Sequence, residues 1–251
     1  MNVVSYSIFG DDSFYYNNVE SSLTAARVMF PDWEIRLYYD DNLYSQPSTL
    51  VSIPKLKDVL NIKLILIEED APLCQAMLWR ILPLYDLNTE TVICRDIDSL
   101  LIPKERIAVE EFIKLDGMCH NIIDNTQHNT CLMGGLCGFS GPAFRKFFSL
   151  TSLDILCQGH DMSKKASDQT VLKEKIWPLM ESNSVEHDFI NINTRRHFPT
   201  HVLSVVDEST SINSKLPKEK YAEANALTPF CGADSRQYDS EKALEFYTQY
   251  I

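Results

Sequence analysis

Two carboxylates one residue apart, Asp96 and Asp98, follow the run Thr91-Val92-Ile93-Cys94-Arg95. The apolar, β-branched part of that run reads as a buried strand, so the carboxylates fall where it leaves a sheet. In an open α/β sheet, ligands bind in the crevice outside the carboxyl ends of the strands. Two oxygen donors there suit a hard divalent cation, Mg²⁺ or Mn²⁺, that also grips phosphate oxygens. Asp-x-Asp arises by chance in acidic chains, so its meaning rests on the elements that position it.

Residues 3–9 read as a first strand that stops at the turn signal Gly10-Asp11-Asp12. Asn17 or Asn18 can cap a helix reaching about Met29, with Val19, Leu23, Ala26 and Phe30 close to one face. Residues 34–39 alternate as a second strand before Asp40, and residues 62–67 form a third. The third is almost wholly apolar, as for a strand covered on both faces. Residues 74–85 read as helical and 92–94 as the fourth strand. This β-α-β-α-β rhythm predicts a mostly parallel sheet with helices on both faces. It brings the Gly10 turn, Asp40, Asp96 and Asp98 to strand ends around one crevice.

Beyond residue 100 the pattern is less regular. A helix over 106–115 is opened by Pro103, and a short strand covers 118–123. Further helices are expected at 143–150, 167–179 and 240–250, with a polar, turn-prone loop at 204–220 that is a candidate lid. No repeat or low-complexity linker divides the chain. A single domain over 1–251 is therefore expected, with a nucleotide-binding half (1–100) and a half for donor sugar and acceptor (101–251).

Composition narrows the function. With 45% hydrophobic and 23% charged residues, the 251-residue chain can bury a sizeable core. Its formal charge of -12, from 23 basic and 35 acidic residues, argues against non-specific nucleic-acid binding and against docking on an anionic membrane. An anionic ligand must then be held locally, by a metal, a few cationic side chains or backbone N–H groups. Seven scattered cysteines with no Cys-x-x-Cys predict buried, reduced thiols and a reducing, cytoplasm-like compartment. No signal peptide and no membrane span are expected.

Several other groups have the right chemistry. Arg80, beside Trp79, can offer a planar, bidentate guanidinium to a phosphate or a sugar hydroxyl, or it can pair with a carboxylate at the core edge. Gly134, Gly135 and Gly138 lie in an apolar context that permits close backbone approach to a bulky ligand, or simply a sharp turn. Asp124 can bond sugar hydroxyls. Asp168, with Gln169, opens a helix, where Asp also serves as a cap. His187-Asp188 is a candidate late metal ligand or acceptor contact.

Taken in order, Ser7-Ile8-Phe9-Gly10, the Arg80 helix, Arg95-Asp96-Ile97-Asp98-Ser99, Asn121-Ile122-Ile123-Asp124 with His128, Gly134-Gly135-Leu136-Cys137-Gly138 and Ser167-Asp168-Gln169 resemble the GT-A glycosyltransferases of large algal DNA viruses and bacterial polysaccharide clusters. The likeness spans about residues 3–190, and Pro229-Phe230-Cys231-Gly232 resembles a closing segment near the diphosphate. It implies a sugar-nucleotide donor, UDP-linked by preference, a carbohydrate or glycoconjugate acceptor, and Mn²⁺ or Mg²⁺ held by Asp96, Asp98 and His187. Ser7, Phe9, Gly10, Asp40, Arg80, Arg95, Asp96, Gly134 and Gly135 are implied in donor binding, and Asp168, Gln169 and Asp124 in catalysis. Asp168-Gln169 leans toward retention of configuration. The family often has Arg before the residue equivalent to Asp124, where this chain has Ile123. Three rivals stand beside this reading: an Asp-x-Asp phosphohydrolase of the haloacid dehalogenase type, a nucleotidyltransferase, and a GT-A-fold scaffold without turnover. The motif lies deep in the chain, Leu100 stands where the phosphohydrolase carries Thr or Val, and no basic, glycine-rich triphosphate loop is present.

Overall fold

A computed structural model describes residues 1–68, 71–149, 151–190, 201–203 and 212–251. The part of the expected lid at 204–211 lies outside the described residues. Eight strands form one sheet: β1 (Asn2–Ile8), β2 (Glu34–Tyr39), β3 (Ile62–Leu66), β4 (Thr91–Asp96), β5 (Cys119–Ile123), β6 (Cys137–Ser140), β7 (Ser184–Asp188) and β8 (His201–Leu203). Their spatial order is β3-β2-β1-β4-β6-β5-β7-β8. β6 runs antiparallel to β4 and β5, and the other neighbours are parallel. The chain steps outward from β1 to β3 and then returns to place β4 on the other side of β1. That reversal is a switch point, where a crevice opens beyond the strand ends.

β1 shows why the sheet is covered twice. Val4, Tyr6 and Ile8 join one apolar cluster with Leu23 and Met29 of the helix Val19–Met29, whereas Val3 joins Val92 and Cys94 in a second. Alternate side chains on a strand face opposite ways, so a strand apolar at consecutive positions needs helices on both faces. All seven cysteines are buried and free. No helix among the described residues is long and apolar enough to cross a membrane.

Several expectations need correction. β3 is an edge strand, with Lys63 exposed and Leu66 39% exposed, so its apolar run does not mean two covered faces. Two helices unmarked by the sequence reading appear: Ser13–Tyr16, capped by the Asp12 carboxylate, and Pro47–Leu60, which carries Pro54 inside it. Residues 74–85 are two elements, an α-turn over Leu73–Met77 and a tighter 3-10 stretch over Leu78–Tyr85 that includes Pro83. Residues 167–179 are likewise interrupted by a wide turn at Leu172–Ile176. β6 escapes the sequence reading because Gly138 sits inside it and glycine weakens strand propensity. A Cβ at Gly138 would meet the Val92 carbonyl oxygen at 3.2 Å and Ile93 Cγ2 at 3.3 Å, so glycine permits β6 to pack on β4.

Charge is also buried beneath the sheet. Arg95 and Glu105 are each 1% exposed, and the Arg95 Nε donates to Glu105 Oε2 at 2.8 Å. Burial raises the Glu105 carboxyl and Arg95 pulls it back. His120 Nε2 and His187 Nδ1 lie 2.8 Å apart, and His187 Nε2 is 2.8 Å from Glu111 Oε2. Burial, then His187 and Arg95, hold His120 well below its ordinary 6.5.

Breaking one side of a buried pair leaves an uncompensated charge. Arg95→Met is therefore expected to cost about 3–5 kcal/mol in urea denaturation, with Arg95→Met/Glu105→Leu recovering most of it. A double variant as unstable as the single one would show that the pair does more than cancel its own charge. His120 sets a second expectation. Below its ordinary value the unfolded chain takes up a proton that the folded chain refuses, so the His120 contribution falls as pH drops, while the raised Glu105 carboxyl works the other way. The expectation is therefore differential: between about pH 8 and about pH 5 the urea midpoint of His120→Leu should gain on that of wild type as acid is added.

Candidate active site

The carboxyl ends of β1, β2 and β4 lie side by side, with Ser7 of β1 in register with Asp96 of β4 and Ile8 with Tyr39 of β2. After β1 the chain turns at Gly10, whose φ of 76° favours glycine. Asp40, just beyond β2, holds that turn. Its Oδ2 accepts from Gly10 N–H at 2.8 Å and from Asn42 Nδ2 at 3.1 Å, and its Oδ1 accepts from Asn42 N–H at 3.0 Å. Asp40 thus builds the rim. Phe9 meets Trp79 edge to face at 5.8 Å, and Ser7 Oγ donates to the Met77 carbonyl at 3.4 Å.

The centre is Arg80. The 3-10 stretch carries it under the end of β4, where it is 4% exposed. Its Nη1 pairs with Asp96 Oδ1, and its Nη2 lies 3.5 Å from Asp168 Oδ2. Both alternatives raised for Arg80 thus converge: it pairs with carboxylates, and they are the candidate site carboxylates. A Cβ on Gly134 would lie 2.6 Å from Arg80 Nη2 and 3.1 Å from Asp168 Oδ2, and one on Gly135 would collide with Asp96. The close approach that these two glycines permit is to the site's own charged side chains. Burial raises the Asp168 carboxyl, against the opposing pull of Arg80. The side chain of Asp96 is 49% exposed at the end of β4.

Asp98 lies one turn farther along and is 8% exposed. Burial and the charges of Asp96 and Asp234 push its carboxyl up to about 7. Tyr238 O–H donates to the Asp98 backbone carbonyl at 3.0 Å. Asp234, Arg236 and Tyr238 belong to this wall. The sequence reading saw only the neighbouring Pro229-Phe230-Cys231-Gly232 block, because these residues lie more than 130 positions from Asp98 with no shared periodicity.

Two assignments are corrected. Arg95 does not face the crevice, because strand alternation sends it opposite to Asp96 and onto Glu105. His187 lies within β7, fully buried against His120 and Glu111, and does not join Asp96 and Asp98. Asp124, expected among the catalytic groups, accepts one bond on each oxygen. Lys104 Nζ donates to Oδ1 at 2.7 Å and Cys231 N–H donates to Oδ2 at 2.8 Å. Gln169 follows Asp168 in the helix Ser167–Val171, and that helix brings Asp168 to Arg80.

No protein-family model and no curated protein sequence matches the chain. Several solved structures are similar to it at low identity. One is Staphylococcus aureus TarS 1–349, at 15% identity and a TM-score of 0.42 over 62% of this chain. This chain spans 53% of that fragment, about half its length. Another is a glycosyltransferase involved in glycosylation of the major capsid of PBCV-1, at 12% identity and a TM-score of 0.42, covering 75% of this chain and 82% of that one. LgtC, as an active-site mutant, matches at 16% identity and a TM-score of 0.46, covering 75% and 73%. The α/β architecture is that expected of a GT-A domain, and it rests on this chain's own strand order.

The Gly135 contact gives a direct test. Gly135→Ala is expected to drive Asp96 off Arg80 and to cost about 1–3 kcal/mol through overpacking, with the circular dichroism spectrum of the sheet kept. A urea midpoint equal to wild type would mean that Asp96 yields its place freely and that Gly135 is not required by it.

Proposed function

We propose that the chain is a glycosyltransferase that moves a sugar from a nucleotide-sugar donor, UDP-linked by preference, to a carbohydrate or glycoconjugate acceptor. One observation carries this reading. Arg80, Asp96, Gly134, Gly135 and Asp168, from four separate stretches of chain, converge beside Asp98 at the strand ends of the switch point. Asp96, half exposed at these strand ends, can meet a ligand while it stays paired with Arg80.

The donor set also fits a hard cation. Two carboxylates close enough for Asp96 to raise Asp98 favour a positive charge between them. Among the described residues no group of three or more His, Cys, Asp or Glu side chains is arranged to hold a metal. Mg²⁺ is often held by only one or two carboxylates together with substrate phosphates. Asp98 and Asp96 would hold Mn²⁺ or Mg²⁺, which would neutralise the charge growing on a departing diphosphate.

The remaining work falls to the chain itself. Arg80 fixes the orientation of Asp96 and Asp168 at once, so neither carboxylate must be ordered when donor arrives. Asp168, 3% exposed, can favour positive charge developing at the anomeric carbon as the glycosidic bond breaks, as a carboxylate does in glycoside hydrolysis. Gln169 beside it can offer an amide to the sugar. The same pair favours retention of configuration.

The test is calorimetric titration of UDP, GDP and CMP with and without Mn²⁺, on wild type and Asp98→Ala. One nucleotide should bind at micromolar strength, with Mn²⁺ required and affinity falling at least about tenfold in the variant, or about 1.4 kcal/mol. Absence of binding by every nucleotide under both conditions would refute the transferase reading. Binding without metal-dependent release of sugar from UDP-sugars would point to the scaffold.

A further inference from the structure

Residues 228–238 run as an irregular strap between the two walls of the site. Near one end, Cys231 N–H donates to Asp124 Oδ2 at 2.8 Å. The next residue, Gly232, has φ 73° and packs so tightly that a Cβ would lie 2.6 Å from Leu136 Cδ1. Leu136 directly follows the Gly134-Gly135 turn that seats Arg80 and Asp96. Toward the other end, Asp234 forms an antiparallel bridge with Ser99, and Tyr238 O–H donates to the Asp98 carbonyl. The strap therefore touches the glycine wall and the Asp98 wall at once.

Asp124 is built as an anchor. Lys104 neutralises one oxygen at 2.7 Å, and Lys104 itself lies over the Phe189 ring at 4.1 Å. His128 Nδ1 accepts from Asp124 N–H at 3.2 Å, and its ring meets Phe230 of the strap edge to face at 5.7 Å. Ordering a segment without regular secondary structure costs backbone entropy at every residue, so it holds one path only where such contacts fix it. The charge-assisted bond to Cys231 is of the stronger kind.

We propose that Asp124 is a positioning residue: by anchoring the strap at Cys231 it fixes the separation of the Asp98 loop from the Gly134-Gly135 turn. Its relevance to sugar transfer rests on the function proposed above, whereas the tie between the walls does not.

Hydrogen–deuterium exchange on the full chain tests this. In Asp124→Ala, exchange across 228–238 should quicken roughly 10- to 100-fold, as for loss of a charge-assisted hydrogen bond. Residues 97–100 and 133–136 should quicken with it. Asp124→Asn keeps an acceptor for Cys231 N–H and should restore most protection. Quickening confined to the strap, or none at all, would overturn the proposal. Should Asp124→Ala not fold, Gly232→Ala lifts the strap from Leu136 and leaves Asp124 and Lys104 in place. It should loosen the same two walls, and unchanged walls would overturn the tie. In wild type that binds UDP with Mn²⁺, Asp124→Ala should weaken binding about tenfold and Asp124→Asn should recover it. Equal affinity in all three would overturn the positioning role. If wild type binds no nucleotide, the proposed function fails, while the exchange pattern still decides the tie.

Discussion

A buried guanidinium placed against two carboxylates is the constraint around which the site is arranged. Arg80 is almost wholly removed from water, and an unpaired charge there would be costly. Asp96 and Asp168 supply its counter-charges, and their residues come from the end of β4 and from the helix that opens at Ser167. The cost of burying Arg80 is thus offset only when both elements are in place. Gly134 and Gly135 follow from the same demand, since the space that side chains would take there is filled by Arg80 and Asp96. Packing and chemistry are the same contacts in this part of the molecule.

The acidic balance of the chain acquires a local meaning. Burial, with Asp96 and Asp234 close by, raises Asp98, while Arg80 and Arg236 pair with those two neighbours. Such an arrangement favours a ligand that brings positive charge or that arrives with a cation. Beneath it, Arg95 pairs with Glu105, and His120 with His187 and through it Glu111, away from Asp96 and Asp168. Position at the carboxyl ends of β1 and β4, more than residue type, separates the groups around Arg80 from those that hold the sheet.

Much of this was legible in the sequence where the pattern was local. The strands β1, β2 and β4 announce themselves by short β-branched and aromatic runs, and Asp96, Asp98 and the Gly10 turn follow at their ends. Arg80, Gly134, Gly135 and Asp168 could be named singly, and only the fold shows that they meet. The misreadings share a cause. Arg95 and His187 have the right chemistry, but strand alternation and burial direct them inward. For Asp124, of the right type at a suitable strand end, only the fold shows the bonds from Lys104 and from the distant Cys231 amide. Asp234 and Tyr238 were not legible because they reach Asp98 only through the path of the closing strap.

The adjacency of Arg95 and Asp96 on β4 has a consequence for how this chain can vary. A strand has period two, so shifting its register by one residue exchanges its faces. A one-residue insertion or deletion within β4 would turn Asp96 toward the buried Glu105 and Arg95 toward the crevice. Two like charges would then meet in the core while the rim gained a cation beside Arg80. Length changes in β4 should therefore be purged even where every individual substitution along it is tolerated. Over evolutionary time, insertions should accumulate in the connections of this protein and stay out of this strand.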